Sequence, residues 1–251
     1  MHKRPILVLL LGVLVLGLIQ PMLSDAFSTI GSAPRPIVAV APSLRSGYAT
    51  ILLQDNFEGF GLGMNWLDGS LHGHWRDRWN GMGKVGIAHD GTNVLVEIPK
   101  APRYGSETHS ALVTSHETLG YTLTSVQVRM IKQLRTPRPN PWEMGWVIWH
   151  YTDNLHFYYL MLKTNGWELG KEDPAYPGNM RTLIKRYTPT FRTWKWYTIQ
   201  VLMVGRAITV WADGKVLGKY RDFQRPYWKG RLGLYCEDSH VEFDNVLVTQ
   251  V

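Results

Sequence analysis

The chain has 251 residues, 45% of them hydrophobic, and its 27 Lys and Arg against 20 Asp and Glu give a formal charge of +7. This length suits one sizeable β domain with its own core. The scattered positive charge fits an acidic glycan, an anionic envelope surface or plain solubility, and no common nucleic-acid-binding motif occurs, so nucleic acid is excluded as an expected partner.

The N-terminus reads as a secretory signal over 1–26. His2, Lys3 and Arg4 form a basic start, Ile6 to Ile19 is an unbroken apolar or glycine run, and Ser24-Asp25-Ala26 offers small residues for cleavage. The run is about 14 residues, short of the ~20 that span a bilayer, so removal is expected and no membrane span remains after it. No cysteine follows the run to carry a lipid anchor. The mature protein is therefore expected outside the cell or in the periplasm or envelope, as a monomer. Residues 27–50 carry Pro34, Pro36 and Pro42 among small residues, a linker composition.

The domain proper is expected over 51–251. Apolar alternation between turn signals predicts strands at 51–55, 74–78, 85–89, 94–99, 107–114, 121–131, 146–151, 157–163, 166–170, 181–187, 196–203, 207–212, 231–237 and 241–248. No stretch carries a clean helical stripe. The C-terminal part is the clearest. Tyr197, Ile199 and Val201 alternate with Trp196, Thr198 and Gln200, and Asp213-Gly214 supplies a hairpin turn that needs positive φ. The class is all-β, two stacked antiparallel sheets in a jelly-roll sandwich. The lone cysteine, Cys236, cannot make an internal disulfide and is expected as a small buried side chain, leaving stability to a large core or a metal.

The run Trp194 to Val201, the hairpin ending Asp213-Gly214, the strand Gly230-Arg231-Leu232-Gly233-Leu234-Tyr235 and the closing Phe243-Asp244-Asn245-Val246 resemble the concanavalin A-like lectin and glucanase superfamily. The resemblance covers the last third well and extends over 51–251. It implies a concave sheet that handles sugar, and a structural Ca2+ held by an acid of the opening strand, Asp55, with Asp244 of the closing strand and backbone carbonyls; Ca2+ accepts six to eight such oxygens. His72-Gly73-His74 is too closely spaced for two zinc ligands on one regular element.

Eleven Trp make this chain dense in flat rings, which stack on sugar faces while leaving hydroxyls free. Trp75, Trp79, Trp146 and Trp167, with Arg76, Tyr159 and Lys163, are the expected carbohydrate contacts; about half of all the Trp would be core in a sandwich of this size. Strand periodicity puts Glu107 with His109, and Trp146 with His150, on shared faces, and Glu168 begins the acidic run to Asp173. Glu107, His109, His150 and Glu168 are the candidate catalytic groups. The Glu-x-Asp-x-x-Glu string of the family 16 glycoside hydrolases does not occur, though acids from different strands, such as Glu107 with Glu143 or Glu168, could pair. The strand order also looks like that of alginate lyases, but the Arg-x-Glu-x-Arg pattern is missing and Ile148 stands at the glutamine position. Three functions stay open: polysaccharide binding in a Trp-rich groove, endo-acting hydrolysis or elimination in that groove, and a structural module without ligand.

Overall fold

The computed structural model describes residues 49–251, so the expected signal peptide and all but the last two residues of the expected linker lie outside it. The described residues contain sixteen strands and no helix. They are β1 (Ile51–Asp55), β2 (Leu71–His72), β3 (Trp75–Trp79), β4 (Lys84–Asp90), β5 (Thr92–Ile98), β6 (Ser110–Ser115), β7 (Thr122–Gln133) and β8 (Gly145–Asp153). The second half adds β9 (His156–Lys163), β10 (Gly166–Glu172), β11 (Met180–Arg186), β12 (Tyr197–Val204), β13 (Ala207–Ala212), β14 (Lys215–Arg221), β15 (Arg231–Glu237) and β16 (Ser239–Gln250).

Two eight-stranded antiparallel sheets form the sandwich expected from the sequence. One runs β14-β13-β12-β7-β16-β5-β4, with β1 also pairing β16; the other runs β11-β10-β9-β8-β15-β6-β3-β2. The long β16 joins the chain ends, holding β5 along Val241–Phe243 and β1 along Val246–Thr249. Asn245, at φ 49°, bulges the strand between these two partners.

Alternation explains the first sheet. Ile199, Val201 and Met203 of β12, and Val241, Phe243, Val246 and Val248 of β16, are buried in the space between the sheets. Across that space lie Val147 and Trp149 of β8, Tyr158, Leu160 and Leu162 of β9, and Leu232, Leu234 and Cys236 of β15. Burying a large aliphatic side chain is worth roughly 1.5–3 kcal/mol, so this core carries most of the stability. Asp213 and Gly214, at φ 49° and 74°, close the β13–β14 hairpin as expected of an Asp-Gly pair.

The second sheet buries apolar side chains on both faces. Its outward face carries Leu112, Trp146, Ile148, Tyr159 and Met161 in a separate cluster with Met130, Met144 and Tyr151. Three differences from the sequence reading follow from local geometry. The edge strand β14 was not anticipated, because it is largely exposed and Gly218 interrupts its pattern. Strand β6 starts at Ser110, not at 107, and β10 runs on to Glu172. Among the described residues, no helix is long and apolar enough to cross a membrane.

Candidate functional site

The outward face of the second sheet holds a cavity of about 230 Å³ lined by Trp79, Leu112, Trp146, Ile148, Tyr151, Asn154, Phe157, Glu172, Met180, Tyr235 and Glu237. A neighbouring cavity of about 350 Å³ shares Trp146, Met180 and Glu237 and adds Trp142, Met161, Lys163, Glu168, Thr182 and Lys185. Together they form one groove with an aromatic floor. The Trp146 ring lies 4.8 Å from that of Tyr159 and 5.1 Å from that of Tyr235, and its indole N–H donates to the Trp142 carbonyl at 3.0 Å.

Period two along β10 brings Glu168, Gly170 and Glu172 to this face. Glu168 is buried and accepts from the Tyr159 hydroxyl, the Lys163 ammonium and the Thr182 hydroxyl, each at 3.0 Å. Gly170 makes room for the floor: a Cβ there would lie 2.2 Å from the Tyr159 hydroxyl. Glu172 is half-buried, and burial, reinforced by the charge of Glu237, pushes its carboxyl up to about 7. Glu237 accepts the Tyr235 hydroxyl at 2.6 Å; burial raises it as well, with the Asp238 and Glu143 charges adding to the effect and Arg135 opposing it. The groove therefore contains one carboxyl bonded to three donors and two whose affinity for a proton is raised by burial.

Several of the residues expected to bind sugar meet here: Trp79, Trp146, Tyr159 and Lys163 line or floor the groove, and Glu168 stands among them. Arg76 is on the same sheet face and donates to the Gly69 carbonyl at 2.9 Å. Trp75 and Trp167 are not in the groove. Both are buried between the sheets, Trp75 on the side of β3 that Asp77 shares, before a register shift turns Trp79 to the groove, and Trp167 on the side of β10 that Leu169 shares; Trp75 donates to Asp55 and Trp167 to the Thr188 carbonyl.

Glu107 and His109 precede β6 and form part of a rim network instead of a shared strand face. Glu107 accepts the Arg103 amide, which lowers its pKa, and faces His109 Nε2 at 3.2 Å. Arg135 ties that rim down through Glu143, the Tyr104, Gly105 and Glu107 carbonyls, and Asp238 at 2.6 Å. Glu143 thus belongs to the rim network and not to a pair with Glu107. His150 sits at φ 53°, where β8 bulges, and this breaks the phase that would have put it beside Trp146. Its ring nitrogens stand 2.8 and 2.9 Å from the Tyr227 and Gly120 carbonyl oxygens, and burial lowers its pKa. Glu237, Tyr235 and Tyr151 were missed, although alternation in 231–237 would have aligned Tyr235 with Glu237.

At the other end of the sandwich, Asp55 pairs in register with Val246, two residues beyond Asp244. Asp55 accepts the Phe57 amide and the Trp75 indole, both at 2.8 Å, and Asp244 accepts the Asn245 amide at 2.6 Å and the Thr92 hydroxyl at 3.2 Å. Both acids are hard oxygen donors of the kind Ca2+ takes. Among the described residues, no group of three His, Cys, Asp or Glu converges to hold a metal.

The fold is a concanavalin A-like jelly roll. The solved structures it is similar to include carbohydrate-binding module CBM66 from Bacillus subtilis, at TM-score 0.50 and 12% identity over 69% of this chain and 93% of that one. They also include the Bacillus licheniformis β-glucanase, at TM-score 0.53 and 11% identity over 82% and 100%. A third is a non-specific endo-β-1,3(4)-glucanase of family GH16, at TM-score 0.54 and 11% identity over 84% and 94%. At these identities the likeness is one of fold. No curated protein sequence matches the chain. The family model of the 3-keto-alpha-glucoside-1,2-lyase-like domain matches residues 64–249, and the chain belongs to that family.

Proposed function

We propose that the groove takes a small glycoside oxidised at C3 and eliminates its aglycone across C1 and C2. The observation that carries this reading is the pair Glu172 and Glu237, two proton-retaining carboxyls in one aromatic-floored cavity. The family's name supplies the substrate class. A ketone at C3 acidifies the C2 hydrogen. Glu172, about half ionised near pH 7, takes that proton, and the electron pair moves onto the C3 oxygen as an enolate. When the carbonyl re-forms, C1=C2 forms, the C1–O bond breaks, and the departing oxygen takes the proton of Glu237.

A second reading, glycan binding without cleavage, rests on the floor of Trp146, Tyr235 and Trp79 alone. Export on the signal at 1–26 and a structural Ca2+ at Asp55 and Asp244 complete the proposal. The test is to incubate the purified protein with a C3-oxidised α-glucoside, its unoxidised parent and a polysaccharide panel. Ultraviolet absorbance of the conjugated enone from the oxidised glucoside, lost in Glu172→Gln, supports elimination. New reducing ends without absorbance would replace it with hydrolysis, and retardation in a polysaccharide gel without product would replace it with binding.

A further inference from the structure

Beyond the carboxyls, the same sheet face gathers three arginines at one end. Arg76 and Arg78 share the outward side of β3, Arg231 lies on β15, and only β6 runs between those strands. The Arg78 guanidinium is anchored by its Nε, which donates to Thr114 Oγ1 at 2.8 Å, and lies 5.8 Å from the centre of the Tyr151 ring. Tyr151 is also the register partner of Arg231 and lines the first cavity. The three cations are half-buried. They are close enough to act on one another, since burial first, and then Arg231 and Arg76, lower the pKa of Arg78.

None of the three has a carboxylate partner among the described residues. The Arg76 side chain donates to the Gly69 carbonyl, and the Arg231 side chain makes no hydrogen bond among the described residues. Asp153, which also acts on Tyr151, is engaged by the Leu155 amide and by His156. Half-buried like charges without a counterion are unfavourable, and guanidinium forks match planar or tetrahedral oxyanions. We propose that these arginines, which meet the groove at Tyr151, bind an anionic substituent of the sugar, a carboxylate or a phosphate ester. Tyr151 and Trp79 then hold the ring between that anion and the Glu172–Glu237 end. The assignment deepens the groove reading and rests on it.

The test is calorimetric titration of the full chain with glucuronate, glucose 6-phosphate and glucose, each at about 20 and about 200 mM salt. The expected result is that at least one anionic sugar binds about tenfold or more tighter than glucose. The advantage should shrink at the higher salt and vanish in Arg78→Gln/Arg231→Gln while glucose binding persists. The two anionic arms separate a carboxylate site from a phosphate site. Equal affinity for neutral and anionic sugars, or a preference that survives both substitutions, overturns the proposal and leaves the groove standing. Failure to bind any of the three overturns this proposal, and the groove reading is then decided by turnover of the C3-oxidised glucoside. Should the double variant not fold, Arg231→Gln alone carries the test, since that side chain holds no hydrogen bond within the described protein.

Discussion

Glu172 of β10 and Glu237 of β15 reach the same cavity although β9 and β8 lie between their strands, and Glu237 helps raise the pKa of Glu172 to about 7. With Glu172 as the base, activity on a C3-oxidised glucoside should rise with pH through a limb near 7. Glu172→Gln should lower the rate by about 10²–10⁴-fold. In Glu237→Gln the neighbouring carboxyl that raises Glu172 is gone, so the limb should move to lower pH, and the rate should fall with the loss of the proton donor. A limb that stays in place in Glu237→Gln would show that the two carboxyls are not coupled.

A second pair of acids sits where no ligand reaches. Asp77 of β3 and Glu97 of β5 are fully buried, and among the described residues neither Asp77 carboxyl oxygen has a hydrogen-bond partner. Burial, with a contribution from Asp68, raises Asp77 from 3.8 to about 7, and burial raises Glu97 well above its ordinary value. Both groups hold their protons more tightly when folded than when unfolded. Stability is therefore full below pH ~4 as far as these acids are concerned, and it falls as pH rises through about 7 for Asp77. Thermal melts between pH 5 and 8 should show Tm declining with pH. Asp77→Asn should flatten that decline and add roughly 2 kcal/mol at pH 8. An unchanged slope in the variant would place the pH dependence elsewhere.

The legible and illegible parts of the sequence differ in how many faces of a strand are apolar. In β12 and β16 one side is wetter than the other, so alternation identified both strands and their inward residues. Strands β8 and β9 read as nearly continuous apolar runs because the core covers one face and the groove cluster the other. Phase could not be assigned there. Trp146 and Trp79 therefore looked no different from Trp75 and Trp167, which pack inside. His150 was placed beside Trp146 by counting in twos, but the bulge at φ 53° adds a step. The run after Glu168 looked like a strand end because of Gly170 and Pro174. In fact Gly170 continues the strand, and Glu172 gains its place in the groove.

The Ca2+ proposal makes a separate claim about the chain ends. Asp55 and Asp244 flank the β1–β16 pairing, and a cation between them would bind the folded state alone. Adding Ca2+ at about 100 times its Kd should then stabilise by about 2.7 kcal/mol and raise Tm. Asp244→Asn should remove the rise without changing sugar binding, since Asp244 lines neither cavity of the groove. A Tm indifferent to both Ca2+ and chelator would limit the two carboxylates to the protein donors they already accept, and the ends would be held by hydrogen bonds alone.

Gly170 offers the sharpest test of how the floor is built. Its missing side chain is what lets the Tyr159 ring lie flat enough to donate to Glu168, since a Cβ would meet the phenol oxygen at 2.2 Å and its ring carbon at 2.3 Å. Tyr159 has no exposed side to retreat to, being fully buried between Trp146 and β10. Gly170→Ala should therefore push the ring out of register with Glu168, at a cost of about 1–3 kcal/mol in stability. It should also weaken sugar binding more than Tyr159→Phe does, because the phenylalanine removes one hydrogen bond and leaves the floor in place. Chemical denaturation and ligand titration on both variants separate the two effects. Equal affinities in Gly170→Ala and Tyr159→Phe would mean that the hydroxyl, and not the position of the ring, is what the groove needs from Tyr159.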